Sequence, residues 1–176
     1  MQKFAISSII LFYSFAFLSF HKKEKEKLNW ITLAEAETKL KEQPRPVLID
    51  LYTDWCGWCK VMDKKTYTNQ TLIKYLNEKF YVVKLNAETK TALQWKGKTY
   101  SFNEQYKTND IAFYLTSGQL AYPTTVIIPA DDGAPQPIAG FLELKDMELI
   151  TTYFGEDKYG KVSFDSYAKK YKHSWK

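Results

Sequence analysis

The chain contains two cysteines, Cys56 and Cys59, and two residues separate them. At this spacing the sulfurs can form a disulfide with each other, and the thiolate of one can attack a disulfide in another molecule. A thiol loses its proton readily where a helix begins, because free backbone N–H groups and the positive end of the helix dipole stabilise the thiolate. The pair could therefore catalyse thiol–disulfide exchange, with Cys56 as the nucleophile.

The residues around the cysteines predict the elements that would position them. Val47–Tyr52 is an apolar run rich in branched and aromatic residues, which is typical of a buried strand. Thr53 and Asp54 follow it as residues that favour the start of a helix. We therefore expect the cysteines at a helix N-terminus, with the Cys56 thiol exposed and the Cys59 thiol buried.

The pair could instead be a structural disulfide or half of a metal site. A disulfide across so short a loop restricts the unfolded chain only weakly, so stability is a poor reason for it. A tetrahedral zinc site needs four ligands, and the chain offers two distant histidines, His21 and His173, and no second cysteine pair. Catalytic exchange is favoured, with no metal and no cofactor.

The segment VLIDLYTDWCGWCK resembles the active-site strand and helix start of the thioredoxin superfamily. Trp55 and Lys60 flank the cysteines as in that family, and residues 83–86 resemble its next strand. The order of elements is similar from residue 30 to residue 154. One departure is Trp58, which stands where thioredoxin has proline.

The resemblance implies roles for residues outside the pair. Asp50 stands six positions before Cys56, where thioredoxins have a buried carboxylate that relays a proton to the second cysteine, and Lys84 on the adjacent strand would be its electrostatic partner. Tyr122-Pro123-Thr124 resembles the loop in which the proline is cis and the preceding backbone binds substrate. The implied catalytic residues are Cys56, Cys59, Asp50 and Lys84, and the implied substrate-binding residues are Trp55, Trp58, Tyr122 and Pro123.

The position of Asp50 also carries an electrostatic expectation. Its neighbours Ile49 and Leu51 are apolar, and a strand covered on both faces has no side in water. A helix cap or a surface position is therefore disfavoured for Asp50. Burial should raise the pKa of this carboxyl and keep it protonated part of the time.

The remaining pattern predicts an α/β fold, a thioredoxin-like three-layer sandwich with a central mixed sheet and helices on both faces. A helix break after Lys65 and a restart at Asn69-Gln70 make the chain similar to the C-terminal domain of membrane-bound disulfide-interchange reductases, and to exported thioredoxin-related proteins. Residues 87–118 form an insertion, with a short hairpin predicted at Trp95–Tyr100. This insertion could select partners or be a plain surface excursion.

The pattern places the thioredoxin-like domain at residues 29–155 and a C-terminal helical extension at residues 156–176. Aromatic residues recur in the extension at spacings of three, four and four, which predicts a helix from Ser163 to Trp175. Their shared face would pack against the domain. They are Phe164, Tyr167, Tyr171 and Trp175.

Residues 1–20 carry one charge, Lys3, and none from Phe4 to Phe20, which predicts a signal peptide or a membrane anchor. Residues 21–28 form a charged tether. The lysines of this tether outnumber the positive charge before the apolar segment, which disfavours export under the positive-inside rule. A thioredoxin-like domain needs no apolar N-terminus in the cytosol, however, so we expect a periplasmic or otherwise exported protein, either released or anchored by residues 4–20.

The net charge of +5 comes from lysines and a single arginine, Arg45. Base readout and phosphate binding rely on arginine, and no basic run is free of acidic residues, so nucleic acid is not an expected partner. Expected partners are disulfide-containing proteins and a thiol electron donor, which could be membrane-bound.

The expected activity is that of a protein-disulfide reductase. Oxidising members of the superfamily often have a histidine between the cysteines, whereas Gly57 and Trp58 supply no charge there. A disulfide oxidase or isomerase with the same site is the first alternative. The second is a thioredoxin-fold binding module or chaperone that holds partners on its aromatic rim, with incidental redox activity.

Overall fold

The computed structural model describes residues 25–176, so the predicted signal or anchor at residues 1–20 and the first part of the tether lie outside the described residues. In chain order the elements are β1 (Trp30–Ile31), α1 (Leu33–Glu42), β2 (Val47–Tyr52), α2 (Gly57–Lys65), α3 (Gln70–Lys79), β3 (Tyr81–Asn86), β4 (Leu93–Trp95), β5 (Lys98–Tyr100), β6 (Phe102–Asn103), β7 (Thr108–Asn109), α4 (Asp110–Thr116), β8 (Thr124–Ile128), β9 (Gln136–Ala139), α5 (Leu144–Gly155) and α6 (Phe164–Ala168). None of the helices in this part of the chain is long and apolar enough to cross a bilayer.

The central sheet has five strands in the order β1-β3-β2-β8-β9. The strand before the cysteines, β2, lies in the middle, parallel to β3 and antiparallel to β8. All but the last residue of β2 are buried. The predicted mixed sheet is confirmed, and its central strand is the one that leads into the cysteine pair.

Helices cover both faces of the sheet, as the sequence predicts. Apolar side chains of α1 and α4 pack on one face with Val47, Ile49 and Leu51 of β2. Apolar side chains of α2, α3 and α5 pack on the other face around Leu48. Because strand side chains alternate between faces, Asp50 points to the same face as Leu48, toward α2.

Local signals explain where the helices near the cysteines begin. Cys56 is the N-cap of α2, and Asn69 is the N-cap of α3, where its side chain accepts hydrogen bonds from the N–H groups of Thr71 and Leu72. The break between residues 65 and 70 thus has the capping residue that the sequence predicts.

The insertion between β3 and α4 contains the predicted hairpin, β4 with β5, and a second short pair, β6 with β7, which the sequence did not predict. Asn109 holds this insertion to the domain, because its buried side chain donates hydrogen bonds to the carbonyls of Thr89 and Thr91.

The C-terminal extension is helical over a shorter range than the aromatic spacing predicts, since α6 ends at Ala168. The predicted helix to Trp175 is therefore wrong beyond that residue. Phe164 and Tyr167 pack on Tyr153 of α5, as expected. Trp175 still packs on the domain, against Tyr75 of α3, but does so from non-helical backbone.

Candidate active site

The cysteine pair lies where β2 leads into α2. Cys56 and Cys59 form a disulfide, and their Cα atoms are 5.3 Å apart. The Cys56 Sγ accepts a hydrogen bond from the backbone N–H of Cys59 at 3.0 Å. This sulfur thus occupies the N-cap position of a nine-residue helix, where an unpaired N–H and the helix dipole stabilise negative charge.

The expected difference in exposure between the two cysteines is absent in this disulfide form. Each cysteine residue is 3% exposed in the disulfide-bonded protein. The expectation of an exposed Cys56 thiol concerns the reduced protein and stays a prediction. What distinguishes the sulfurs is the hydrogen bond that Cys56 accepts.

Exposed aromatic side chains flank the disulfide. Trp55 is 66% exposed and Trp58 is 62% exposed, so both present apolar surface to a partner. Trp55 is held in place, because its indole N–H donates to Glu88 at 2.8 Å and its ring packs edge-on against Tyr122 at 5.9 Å. Trp58 packs against Phe141 at 5.6 Å.

The loop before β8 has the predicted conformation, since the Tyr122-Pro123 peptide bond is cis. Tyr122 contacts Trp55, so this loop and the cysteine loop share the aromatic rim. We define this rim as Trp55, Trp58, Tyr122 and Phe141. Phe141 was not predicted from the sequence, because it follows β9 and reaches the rim only through the fold.

Asp50 is buried, with 2% exposed surface, in the middle of β2. Lys84 is its partner in the β2–β3 register, and the Lys84 Nζ lies 3.1 Å from the Asp50 Oδ2. The predicted pairing of these residues is confirmed as a contact. Burial raises the pKa of Asp50, and the Lys84 charge offsets this only in part.

A second carboxylate, which the sequence analysis missed, completes the cluster. Asp63 of α2 also forms an ion pair and a hydrogen bond with the Lys84 ammonium. Burial lowers the pKa of Lys84, but hydrogen bonds and attraction to Asp63 and Asp50 outweigh it, so the net direction is upward. Asp63 follows Cys59 by four residues and therefore lies one turn along the same face of α2, a spacing that could have revealed it.

Aromatic rings surround the rest of the Lys84 ammonium. Its Nζ lies 5.1 Å from the ring centre of Tyr52 and 5.3 Å from that of Trp30, distances at which a cation is attracted to a ring face. A groove of about 640 Å³ opens beside this cluster, and Lys84, Asp63, Trp30 and Tyr67 contribute to its walls. Asp50 is thus buried away from water, whereas Lys84, its ion-pair partner, borders a groove that is open to solvent.

The site combines a helix-terminal disulfide, which follows β2, with a buried carboxyl in β2 whose pKa is raised above that of an ordinary aspartate. A carboxyl with a raised pKa is a stronger proton acceptor than an ordinary aspartate. Within residues 25–176, no three His, Cys, Asp or Glu side chains are close enough together to hold a metal ion. The chemistry that these groups support is exchange between thiols and disulfides.

Comparison with known proteins agrees with this geometry. The family model Thioredox_DsbH, described as a protein of unknown function, DUF255, matches residues 14–176. A thiol:disulfide interchange protein DsbD from Pectobacterium atrosepticum is 36% identical over 45 residues, which cover 26% of this chain and 8% of that protein. The chain spans less than a tenth of the length of the curated relatives that it matches.

Two solved structures share the fold. A thioredoxin-fold protein from Helicobacter pylori superposes with a TM-score of 0.53 at 13% identity, covering 77% of this chain and 95% of that one. A thioredoxin from Thermus thermophilus superposes with a TM-score of 0.51 at 15% identity, covering 84% of this chain and 99% of that one. At these identities the likeness establishes the fold.

Proposed function

The chain belongs to the Thioredox_DsbH family of thioredoxin-fold proteins, and we propose that it is a protein-disulfide reductase that acts on exported proteins. The observation that carries the proposal is the position of the Cys56 sulfur, which accepts the Cys59 N–H at the start of α2, with the buried Asp50 on the sheet face that α2 covers. This geometry supports a nucleophilic thiolate and a proton acceptor in one site.

The reaction begins with both cysteines reduced. The Cys56 thiolate attacks one sulfur of a target disulfide, which forms a mixed disulfide and releases the other target sulfur as a thiolate. Cys59 then loses its proton to Asp50 and attacks the Cys56 sulfur. The Cys56–Cys59 disulfide forms, the second target sulfur leaves reduced, and two electrons have passed from the enzyme to the target.

The charge cluster supports the proton-accepting role of Asp50. A carboxyl with its ordinary pKa would bind a thiol proton poorly at pH 7. Burial raises the pKa of Asp50 and so makes it a stronger proton acceptor. Lys84 and Asp63 border the groove, with side chains 26% and 40% exposed. The proton that Asp50 accepts can therefore pass to solvent through the side of the cluster that faces water.

The rim supports a role in binding extended protein segments. Trp55, directly before Cys56, and Trp58, directly before Cys59, expose apolar surface, and Tyr122 precedes the cis proline. An unfolded or flexible segment that carries a disulfide could lie across these side chains, with its sulfur over Cys56. In this proposal, Trp55, Trp58, Tyr122 and Pro123 form the substrate site.

The proposal also includes the direction of electron transfer, from the enzyme to its target, and a location outside the cytoplasm. Gly57 and Trp58 place no positive charge between the cysteines, which favours a reducing dithiol. The uncharged segment from Phe4 to Phe20 supports export, and an exported dithiol needs a donor to restore its thiols. The short match to a thiol:disulfide interchange protein supports a place in a thiol–disulfide exchange pathway, and in this proposal the donor could be membrane-bound.

Insulin reduction by dithiothreitol tests the activity. Wild-type protein should accelerate insulin precipitation, Cys56→Ser should abolish the acceleration, and Cys59→Ala should accumulate mixed disulfides that a reducing gel dissolves. Asp50→Asn should form mixed disulfides at a normal rate but resolve them slowly. Acceleration that survives Cys56→Ser would exclude this mechanism and favour a binding module.

Equilibration with glutathione buffers tests the direction. A reductase should have a potential nearer the roughly −270 mV of thioredoxin than the roughly −120 mV of strong periplasmic oxidants. A value near the oxidising end, or a pair that stays fully oxidised in cells, would assign the protein to the oxidase class.

A further inference from the structure

Three segments that are distant in sequence carry a large share of the positive charge of the chain. Residues 25–29, 60–77 and 169–176 contain ten of the 25 lysine and arginine residues but two of the 20 acidic residues. Their formal side-chain charge is +8, whereas the rest of the chain carries −3. The modest net charge of +5 therefore hides a strongly uneven distribution.

The fold brings these segments together around α3. The N-terminal segment lies along this helix, because Gln70 exchanges hydrogen bonds with the backbone of Glu26, and Asn77 bonds to the Glu26 side chain and the Lys27 carbonyl. The C-terminal segment reaches the same helix start, since the Asn69 side chain donates to the carbonyl of Lys176 at 2.9 Å. We call the surface of these three segments the basic face.

The lysines of the basic face are available to a partner. All ten are exposed, and none of them forms an ion pair among residues 25–176. Most lysine ion pairs of the described chain lie elsewhere, for example Lys96 with Asp132 and Lys145 with Glu143. The two acidic residues of the basic face interact with groups other than its lysines. Asp63 forms an ion pair with Lys84, and the Glu26 carboxylate accepts a hydrogen bond from Asn77.

We propose that the basic face docks on an anionic lipid surface. The chain that leaves this face at residue 25 leads, within four residues, to the uncharged segment that ends at Phe20. Four residues span at most about 14 Å, so insertion of that segment would hold the basic face against the headgroups. An apolar segment and a basic patch together bind membranes more firmly than either alone.

Docking would also fix how far the disulfide lies from the membrane. The docking proposal does not depend on the proposed function, but the meaning of this distance for catalysis does. α2 runs from the basic face at Lys65 to the cysteines, and its nine residues span about 13 Å. Cys56 would therefore stay within reach of a thiol donor embedded in the same membrane.

Hydrogen exchange of the full-length protein on vesicles tests the docking. The protein is reconstituted in vesicles of phosphatidylcholine alone and of equal parts phosphatidylcholine and phosphatidylglycerol. We expect amides of residues 25–29 and 66–70 to exchange about tenfold more slowly on the anionic vesicles, and high salt to remove the difference. Amides of α1 and β4, on the opposite face of the sheet, should be unchanged.

Charge variants provide the matched comparison. The triple variant Lys64→Gln, Lys65→Gln, Lys74→Gln should lose the protection on anionic vesicles, while Lys39→Gln, Lys41→Gln, Lys98→Gln, on the opposite face, should keep it. Both variants should reduce insulin normally, which shows that they are folded. Equal exchange on the two vesicle types, equal loss in both variants, or protection by RNA but not by vesicles would overturn the proposal.

Discussion

A double-mutant cycle between Asp50 and Lys84 tests the electrostatic core of the site. The variants are Asp50→Asn, Lys84→Met and the two combined. Each substitution keeps the approximate shape of the side chain and removes one charge. Lys84→Met leaves Asp50 buried without its cation, whereas in the Asp50→Asn background it removes a lysine that retains Asp63 as its only carboxylate partner.

The size of the coupling follows from the contact. Two unit charges separated by the observed 3.1 Å attract each other by about 5 kcal/mol at an effective dielectric constant near 20. Lys84 shares its charge with Asp63, and its side chain is 26% exposed, so water screens part of the attraction. We therefore expect Lys84→Met to cost about 2 kcal/mol more in the wild-type background than in the Asp50→Asn background.

The coupling should depend on pH in a defined direction. Burial raises the folded-state pKa of Asp50 above its ordinary value of 3.8, so the folded protein binds this proton more tightly than the unfolded chain does. The contribution of Asp50 to stability is therefore most favourable below pH 3.8 and falls as pH rises through the folded-state pKa. Without Lys84 the folded-state pKa rises further, and the fall should extend to higher pH.

Urea unfolding of the reduced proteins at pH 7 and at acidic pH measures the cycle. The coupling should be about 2 kcal/mol at pH 7 and should fade as Asp50 becomes protonated. The exposed pair Lys161 and Asp157 provides a control cycle, which should show much weaker coupling. A coupling at pH 7 as small as that of the control, or one that does not change with pH, would refute the assignment of Asp50 as a buried titrating carboxyl.

Other contacts give three further predictions. Iodoacetamide should modify Cys56 faster than Cys59 in the reduced protein near neutral pH, as peptide mass spectrometry would show; faster labelling of Cys59 would reverse their roles. Glu148→Gln should destabilise the protein by about 1–3 kcal/mol in urea, more than Ser174→Ala, because the buried carboxylate accepts four hydrogen bonds from the C-terminal segment. Burial raises the pKa of Glu148, but these bonds outweigh it and lower the pKa, so its stabilising effect should be lost as pH falls through the folded-state value. Asp63→Asn should raise the disulfide potential by roughly 10–30 mV in glutathione buffer, because it removes a negative charge about one helical turn from Cys59; an unchanged potential would show that Asp63 acts on Lys84 alone.

The parts of the site that could be predicted from the sequence depend on short stretches of chain. The strand at residues 47–52, the helix start at Cys56 and the cap at Asn69 each follow from neighbouring residues, and the structure has all three. The pairing of Asp50 with Lys84 could be predicted only from the family resemblance, because the sequence of one strand does not determine its register with another.

The C-terminal segment shows why the rest could not be predicted. The aromatic spacing there fits a helix, but the backbone N–H groups of Ser174 and Trp175 donate to the carboxylate of Glu148 and not to carbonyls one turn earlier. Glu148 lies 26 residues before Ser174, so the residues near the C-terminal segment do not predict this hydrogen-bond acceptor. A buried carboxylate that binds backbone N–H groups outweighs a local helical pattern.

The direction of electron transfer depends on two opposing features of the site. The start of α2 stabilises a thiolate on Cys56, and a stabilised thiolate favours the reduced protein and hence an oxidant. The cluster on the α2-facing side of the sheet acts in the other sense, because one ammonium is shared by two carboxylates and the group is net negative whenever Asp50 is ionised. A negative group destabilises a nearby thiolate. Gly57 and Trp58 add no positive charge to oppose this effect, which supports the proposed direction, in which the reduced dithiol gives up its electrons to the target.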